Sequence, residues 1–447
     1  MSVKNASCSL FYGGIFTVQR IVKSVDATCG DNVKSLFFNH LSNIILKKTI
    51  ILILFCTANI SLQAQTKTYA ERIAETVMTR YPDSIVVKKM LNHMLQDNQD
   101  TDPDKRPASW EYEQGVVLKG IERLWRQTGD KRYFDYVKKM IDLFVREDGT
   151  IRTYDLNEYN SDYIPSGRLL LTLFKETKQE KYKKAADILR GQLTWQPRTK
   201  EGGFWHKLKY PYQMWCDGLY MTSPFYAEYT QLNNQSKDFD DVANQFLWSE
   251  KHFRDPKTGL LYHAWDESKN QKWANPETGR SPEVWTRAMG WYAVGLTEVL
   301  DYLPKNHPKR NDLIAILQRL APVFAQYQDP TSGVWFQITD KGTRKGNYLE
   351  ASGSCMLVFT LTKGVRMGYL DKKYKAIAQK GYDGILKTFV QTDAQGAVHL
   401  INTCSGAGLG GVPYRSGTFD YYINEPLRTD DMKGIGVFIQ ADLEIRM

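Results

Sequence analysis

Cysteine is scarce and poorly placed for a structural role. Six occur in 447 residues, and only Cys216, Cys355 and Cys404 lie beyond position 65. Three thiols make no disulfide framework, and no pair has metal-ligand spacing, so no metal or other cofactor is implied. Dense basic runs are also missing. Of the net charge of +9, residues 1–65 carry +4, leaving +5 over the rest, which is no nucleic-acid footprint. The longest apolar run near the N-terminus, 49–56, is short for a membrane span. There is no G-x-S-x-G elbow, which argues against a serine-type hydrolase. The Gly-rich stretch "CSGAGLGGVPYRSG" at 404–417 contains GxGxG but opens no helix, which weakens dinucleotide and P-loop readings. No Pro/Ser-rich linker or low-complexity tract follows residue 70.

Aromatic residues are plentiful. They make up 13% of the chain, with 26 Tyr and 11 Trp. Flat faces with polar tips suit a core and a sugar-binding cleft equally well. The N-terminus reads as an export signal: "LKKTIILILFCTANISLQAQ" sets Lys47 and Lys48 before an apolar run, with Ala64 at a plausible cleavage point. The expected division is therefore 1–64, extension and signal, and 65–447, a single domain. Export points to the periplasm if the host is Gram-negative, with no stable membrane anchor after cleavage.

From residue 70 the pattern is helical. "SWEYEQGVVLKGIERLWRQTGDKRYFDYVKKMIDLFV" places apolar residues at three- and four-residue steps and breaks at Thr128-Gly129. Similar helix–turn–helix phrases recur at 169–193, 292–326 and 358–390. Between them comes Asp, then Gly, then an alternating apolar run: "EDGTIRTY", "DPKTGLLYHAW", "DPTSGVWFQIT" and "DAQGAVHLI". Each predicts a tight turn entering a short strand. About six such units fit between 70 and 447, as a closed ring or an open solenoid. A ring would gather the long loops on one rim, where binding groups usually sit.

Those loops hold the unusual side chains. In "YPYQMWCDGLYMTSPFYAEY", 210–229, Asp217 is a lone carboxylate among aromatics. Asp162 precedes Pro165 and an apolar helix. His206 and Lys207 stand in "GGFWHKLKY", His263 and Asp266 in "GLLYHAWDES", and Trp285, Arg287 and Trp291 in "PEVWTRAMGWYAVGL". Each has a plainer reading: Asp162 and Asp217 as helix caps, His263 as a packed histidine, Lys207 as a solvated cation. Their joint occurrence at corresponding points of successive units is harder to dismiss. Acid chemistry from Asp217, with Asp162 beside it, is what remains. Apolar walls at Trp215 and Met221 predict a raised pKa for the Asp217 carboxyl.

The phrases "YPYQMWCDGLYM", "VWTRAMGWYAVGL", "WHK" at 205–207 and "DDMKGIGVFIQA" resemble the unsaturated rhamnogalacturonyl hydrolases of glycoside hydrolase family 105, from about residue 70 to the end. The resemblance implies an all-α, (α/α)6 six-hairpin toroid with short strands in its rim loops. It implies removal of a terminal 4,5-unsaturated uronic acid from an anionic, lyase-generated oligosaccharide by hydration of the vinyl ether. Asp217 matches the general acid and Asp162 a second carboxylate. His206, Lys207, His263 and Arg287 match polar pocket groups. Trp215, Trp285 and Trp291 match its aromatic wall, and Tyr112 a pocket tyrosine. Cys216 stands where an aliphatic residue is expected. The alternatives are an unsaturated glucuronyl hydrolase acting on glycosaminoglycan fragments, an inverting glycosidase on the same frame, and a noncatalytic helical repeat whose aromatic-acid loops would scatter.

Overall fold

Two kinds of helix alternate along the chain. The computed structural model describes residues 67–85 and 108–447; the predicted export signal and the 1–64 extension lie outside the described residues. The helices are α1 (Tyr69–Arg80), α2 (Tyr112–Thr128), α3 (Lys131–Asp142), α4 (Gly167–Thr177), α5 (Glu180–Trp195), α6 (Cys216–Leu232), α7 (Asp238–Phe253), α8 (Thr286–Tyr302), α9 (Arg310–Gln326), α10 (Ala351–Arg366), α11 (Tyr374–Phe389), the five-residue α12 (Phe419–Ile423) and α13 (Met432–Ile445). In α8 every residue from 286 to 300 is buried. In α3 only Tyr133, Tyr136, Val137, Met140 and Ile141 are, at the three- and four-residue steps of a one-sided helix. The first pattern belongs to helices enclosed by others, the second to helices that cover them.

The enclosed set is α2, α4, α6, α8, α10 and α13. Each packs on the next, and α13 packs back on α2, so the set closes into a ring. The covering set is α1, α3, α5, α7, α9 and α11. Ring, not solenoid, is the outcome, and the chain is an (α/α)6 toroid. Five hairpins are contiguous in sequence, as the α2–α3 turn illustrates: Gly129 takes φ +72° and ends α2, and the Asp130 side chain caps α3. The sixth is not contiguous. It pairs α13 with α1 from the opposite end, where Ala70 N donates to Asp442 Oδ2 at 3.2 Å.

Closure brings two backbones unusually close. A Cβ on Gly436 would stand 2.5 Å from the carbonyl oxygen of Val116, and one on Gly120 would stand 2.9 Å from that of Gly436. Beside them the buried Lys433 ammonium is held at 2.8 Å by Glu113 on α2 and by Asp431. Removing any one of those charges leaves another buried and unpaired.

Because hairpins alternate direction, all six enclosed helices start on one rim. The strands lie there too. β1 (Gln213–Trp215) pairs antiparallel with β2 (Ala264–Asp266), β3 (Val390–Thr392) with β4 (Val398–Leu400), and β5 (Thr403–Cys404) with β6 (Leu427–Arg428). The predicted Asp–Gly turns are present: the side chains of Asp148, Asp255, Asp329 and Asp393 accept backbone N–H bonds, and Gly149, Gly259, Gly333 and Gly396 take positive φ. No helix among the described residues is long and apolar enough to cross a membrane.

Gly436→Ala is expected to lower unfolding free energy by about 1–3 kcal/mol, because backbone rather than a flexible side chain must move. Urea denaturation checks this, and an unchanged midpoint would show that the α2–α13 approach tolerates a methyl group.

Candidate active site

The β1–β2 register does the first piece of assembly. It sets Trp215 opposite Ala264, and Cys216 N donates to the carbonyl of His263 at 2.9 Å. Asp217, the second residue of α6, therefore meets His263, the residue before β2. Asp217 Oδ2 lies 3.0 Å from His263 Nε2, a close charge contact that is poorly aligned for a hydrogen bond. His263 Nδ1 lies 2.6 Å from Tyr422 Oη on α12. The imidazole is fully buried, with the Trp215 edge 5.1 Å away and Trp285 4.9 Å away, centroid to centroid.

This contact corrects the expectation of a raised pKa at Asp217. Burial does push the carboxyl up, and it is the largest single influence. The charge and proximity of His263, with help from His206, outweigh it and hold the carboxyl below its ordinary value. Aromatic neighbours were visible in the sequence, but the histidine brought in by strand pairing was not.

Asp162 sits on the short 3-10 turn Ser161–Tyr163, which Asn160 caps. Its Oδ2 accepts from Lys207 Nζ, and its Oδ1 is 3.6 Å from His206 Nε2. His206 Nδ1 is 2.9 Å from Ser161 Oγ. Only 5% of His206 is exposed. Burial, aided by Lys207, depresses its pKa to about 4 despite Asp162, so the ring is neutral near neutral pH. Lys207 stays charged, since Asp162 outweighs the burial that would lower it.

The expected aromatic wall exists, but recessed. His206 and Tyr210 stack on Trp215 at 4.7 and 4.9 Å and stand 6.4 Å from each other, which fits two rings side by side over one indole face. Trp215 is thus a buried platform, 5% exposed, rather than an open sugar-facing wall. Trp285 and Trp291 are buried as well. Trp285 carries the Arg287 guanidinium at 4.4 Å, while Trp291 packs on Tyr220 at 4.4 Å and edge-on to Tyr112 at 6.4 Å. The Tyr112 phenol is pushed well up by burial and by Glu113, and stays protonated.

Arg287 is more committed than its sequence suggests. It is buried, 3.7 Å from Glu350 Oε1, and its Nη1 donates to Cys404 O and, at 3.3 Å, to Ser352 Oγ. Nε and Nη2 have no hydrogen-bond partner among the described residues. Glu350 is locked in turn by Ser352 Oγ, Cys404 N and Gly353 N at 2.7–3.0 Å. Neither Glu350 nor Tyr422 was singled out from the sequence. Glu350 had a faint signal, an acidic residue at the start of α10. Tyr422 had none beyond following the Gly-rich stretch. That stretch binds no helix start. It wraps Arg415, whose guanidinium donates to Gly410 O, Leu409 O and Tyr210 Oη at 2.8–3.1 Å and so ties the loop to the Trp215 platform. Asp266 keeps to its own turn, accepting from Ser268 and Gln271. Among the described residues no group of His, Cys, Asp or Glu stands where it could hold a metal.

None of the ten residues singled out for the site scatters away: Asp162, His206 and Lys207 adjoin one another, Asp217 and His263 touch, and Tyr112, Trp285, Arg287 and Trp291 follow at the neighbouring helix starts, with Trp215 beneath. A carboxylate–imidazole pair and a second carboxylate at the mouth of a six-hairpin ring define a six-hairpin glycoside hydrolase. The model of Glycosyl Hydrolase Family 88 matches residues 70–447, and the chain belongs to that family as an unsaturated uronyl hydrolase. Protein Atu3128 of Agrobacterium fabrum is 36% identical over 230 residues, 50% of this chain and 97% of that one. Unsaturated rhamnogalacturonyl hydrolase YesR of Bacillus subtilis is 27% identical over 277 residues, 60% of this chain and 75% of that one. A family 105 glycoside hydrolase structure from C. acetobutylicum ATCC 824 superposes with a TM-score of 0.78 at 45% identity, covering 85% of this chain and 99% of that one.

His206 carries a pH prediction. Its folded pKa of about 4 lies below the unfolded value of about 6.5, so the unfolded chain binds more protons between those values. Its contribution is complete above pH 6.5 and is lost as pH falls towards 4. Urea unfolding at pH 7 and pH 4.5 should show His206→Gln losing about 2–3 kcal/mol less than the parent protein. Equal losses would mean that the imidazole is not held neutral.

Proposed function

We propose that this protein removes a terminal 4,5-unsaturated uronic acid from lyase-generated oligosaccharides of the rhamnogalacturonan type, by hydrating the vinyl ether. The observation that carries the reading is the unequal standing of the two carboxylates. Asp162 is tied to Lys207 and faces His206, so an ammonium already holds one of its oxygens. Asp217 is instead in contact with His263, a partner that can itself titrate, with His206 also acting on it. One acid rather than an acid–base couple fits hydration better than inverting hydrolysis, which needs a second carboxylate free to activate water. The likeness to YesR and to the family 105 structure favours the rhamnogalacturonan type over glycosaminoglycan fragments.

In the reaction the substrate's own carboxylate enters a rim where six helix N-termini meet, which favours an anion. Nε and Nη2 of Arg287 are its partners, with the guanidinium plane held on Trp285. A second negative charge beside Asp217 makes ionisation harder there and draws the proton of the His263–Asp217 pair onto the carboxyl. Asp217 then gives that proton to C4. Positive charge develops at C5, shared with the ring oxygen, and a water adds there while returning its proton to Asp217. The product is a hemiketal at C5. Its opening breaks the ring, and the glycosidic bond at C1 is then lost. Asp162 and Lys207 hold sugar hydroxyls beside the reacting ring.

Asp217→Asn should abolish turnover on unsaturated disaccharides while leaving the melting temperature nearly unchanged. In heavy water the released sugar should carry deuterium at C4, and unlabelled product would sink the hydration reading. Saturated disaccharides should be inert. Arg287→Lys keeps a charge for Glu350 but loses the fork, so KM should rise about tenfold or more with a smaller change in kcat.

A further inference from the structure

The imidazole of His263 is not oriented by Asp217. Their contact is close but bent, so it fixes charge more than direction. The other ring nitrogen is held firmly, with Nδ1 2.6 Å from Tyr422 Oη, and both side chains are fully enclosed. Tyr422 is itself placed by its surroundings. It lies on α12, which the Thr418 side chain caps, its carbonyl accepts from Gln337 Nε2 at 3.3 Å, and its ring packs 5.8 Å from Trp285. Burial, joined by Tyr421 and Asp217, pushes the phenol well up, so it stays a hydroxyl.

A hydroxyl donates and accepts, and it rotates. When the ring is cationic, Nδ1–H donates to Tyr422 Oη. When Nε2 passes its proton to Asp217 Oδ2, the ring is neutral with its remaining proton on Nδ1, and that N–H keeps Tyr422 Oη as its acceptor. We infer that Tyr422 is a positioning residue for proton transfer: by accepting from His263 Nδ1–H in both charge states, its hydroxyl keeps Nε2 as the nitrogen that exchanges the proton with Asp217, so one proton can lie on His263 or on Asp217 without leaving the buried Nδ1–H unpaired. The inference rests on the proposed role of Asp217 as the acid. The other titratable and charged groups around this relay are His206 on the far side of Asp217 with Asp162 and Lys207 behind it, Cys216 beside Asp217, and Tyr421, Glu283 and Cys404 towards Tyr422. None of them contacts His263 Nδ1, so the phenol is the group that decides its state.

Tyr422→Phe removes one oxygen and keeps the ring packing. The buried Nδ1–H then has no acceptor in either charge state, and the loss is larger for the charged ring, whose N–H makes the stronger bond. The charged form is hurt more, and the pair gives up its proton at lower pH. Ring-nitrogen NMR of the full-length protein without substrate, with His263 assigned by the signals lost in His263→Gln, should show its titration midpoint lower by about one pH unit. The alkaline limb of kcat/KM on an unsaturated disaccharide should move down equally, with KM little changed. 3-Fluorotyrosine at position 422, a better donor and poorer acceptor of nearly the same shape, should shift both in the same direction by less. It keeps the test open if the phenylalanine variant does not fold. An unmoved titration, even with a uniformly lower kcat, overturns the inference. A moved titration with an unmoved alkaline limb upholds the Tyr422–His263 bond and overturns Asp217 as the acid.

Discussion

Closure of the ring between α2 and α13 is the constraint on which the rest depends. The six enclosed helix starts face one another only because the sixth helix returns to the first, and the contact needs glycines on both sides with a buried Lys433 bridging Glu113 and Asp431. Every side chain of the candidate site lies in a rim loop or in the first two turns of one of those helices. An open array with the same hairpins would carry the same loops without making them face one another. The apolar faces drive the packing, but it is the return of the last helix to the first that turns a row of loops into a pocket.

Within that pocket the electrostatics are arranged by pairing. Asp162 is given to Lys207, Glu350 to Arg287 and the start of α10, and Asp217 to His263. Deeper in the ring Arg168 bridges Glu228 and Glu298 in the same manner. Burial alone would push Glu228 and Glu298 up, and their cationic partners hold both below the ordinary carboxylate range. The unusual pair is Asp217–His263, where the partner is itself titratable. A lysine or arginine would fix the carboxylate as an anion. A histidine leaves the proton negotiable, which suits a group asked to protonate carbon and then accept a proton from water.

Much of this was legible in the sequence, and the parts that were not share a cause. The α2–α3 hairpin could be read from its spacing and from Gly129-Asp130, because the information is local. So could the Asp–Gly turns and the concentration of aromatic and charged residues at 205–221 and 284–291. The split hairpin of α1 and α13 could not, since its helices lie at opposite ends of the chain. Tyr422 and Glu350 were missed for the same reason: one reaches His263 across 159 residues, and the other meets Arg287 from the next helix start. The pKa direction at Asp217 was misread because apolar neighbours at 215 and 221 are contiguous, whereas His263 arrives through the β1–β2 register. Trp215 was expected to offer a face and instead lies beneath His206 and Tyr210.

The split hairpin has a consequence for how the molecule comes into being. Met432–Ile445 follows the five contiguous hairpins along the chain, and until it docks, α2 and α10 keep bare flanks where α13 belongs. The five contiguous hairpins can form from local contacts, yet the chamber stays unsealed until α13 reaches α2. Competence for catalysis therefore waits on the docking of α13, and a polypeptide broken off before Met432 would keep its hairpins without an enclosed interior.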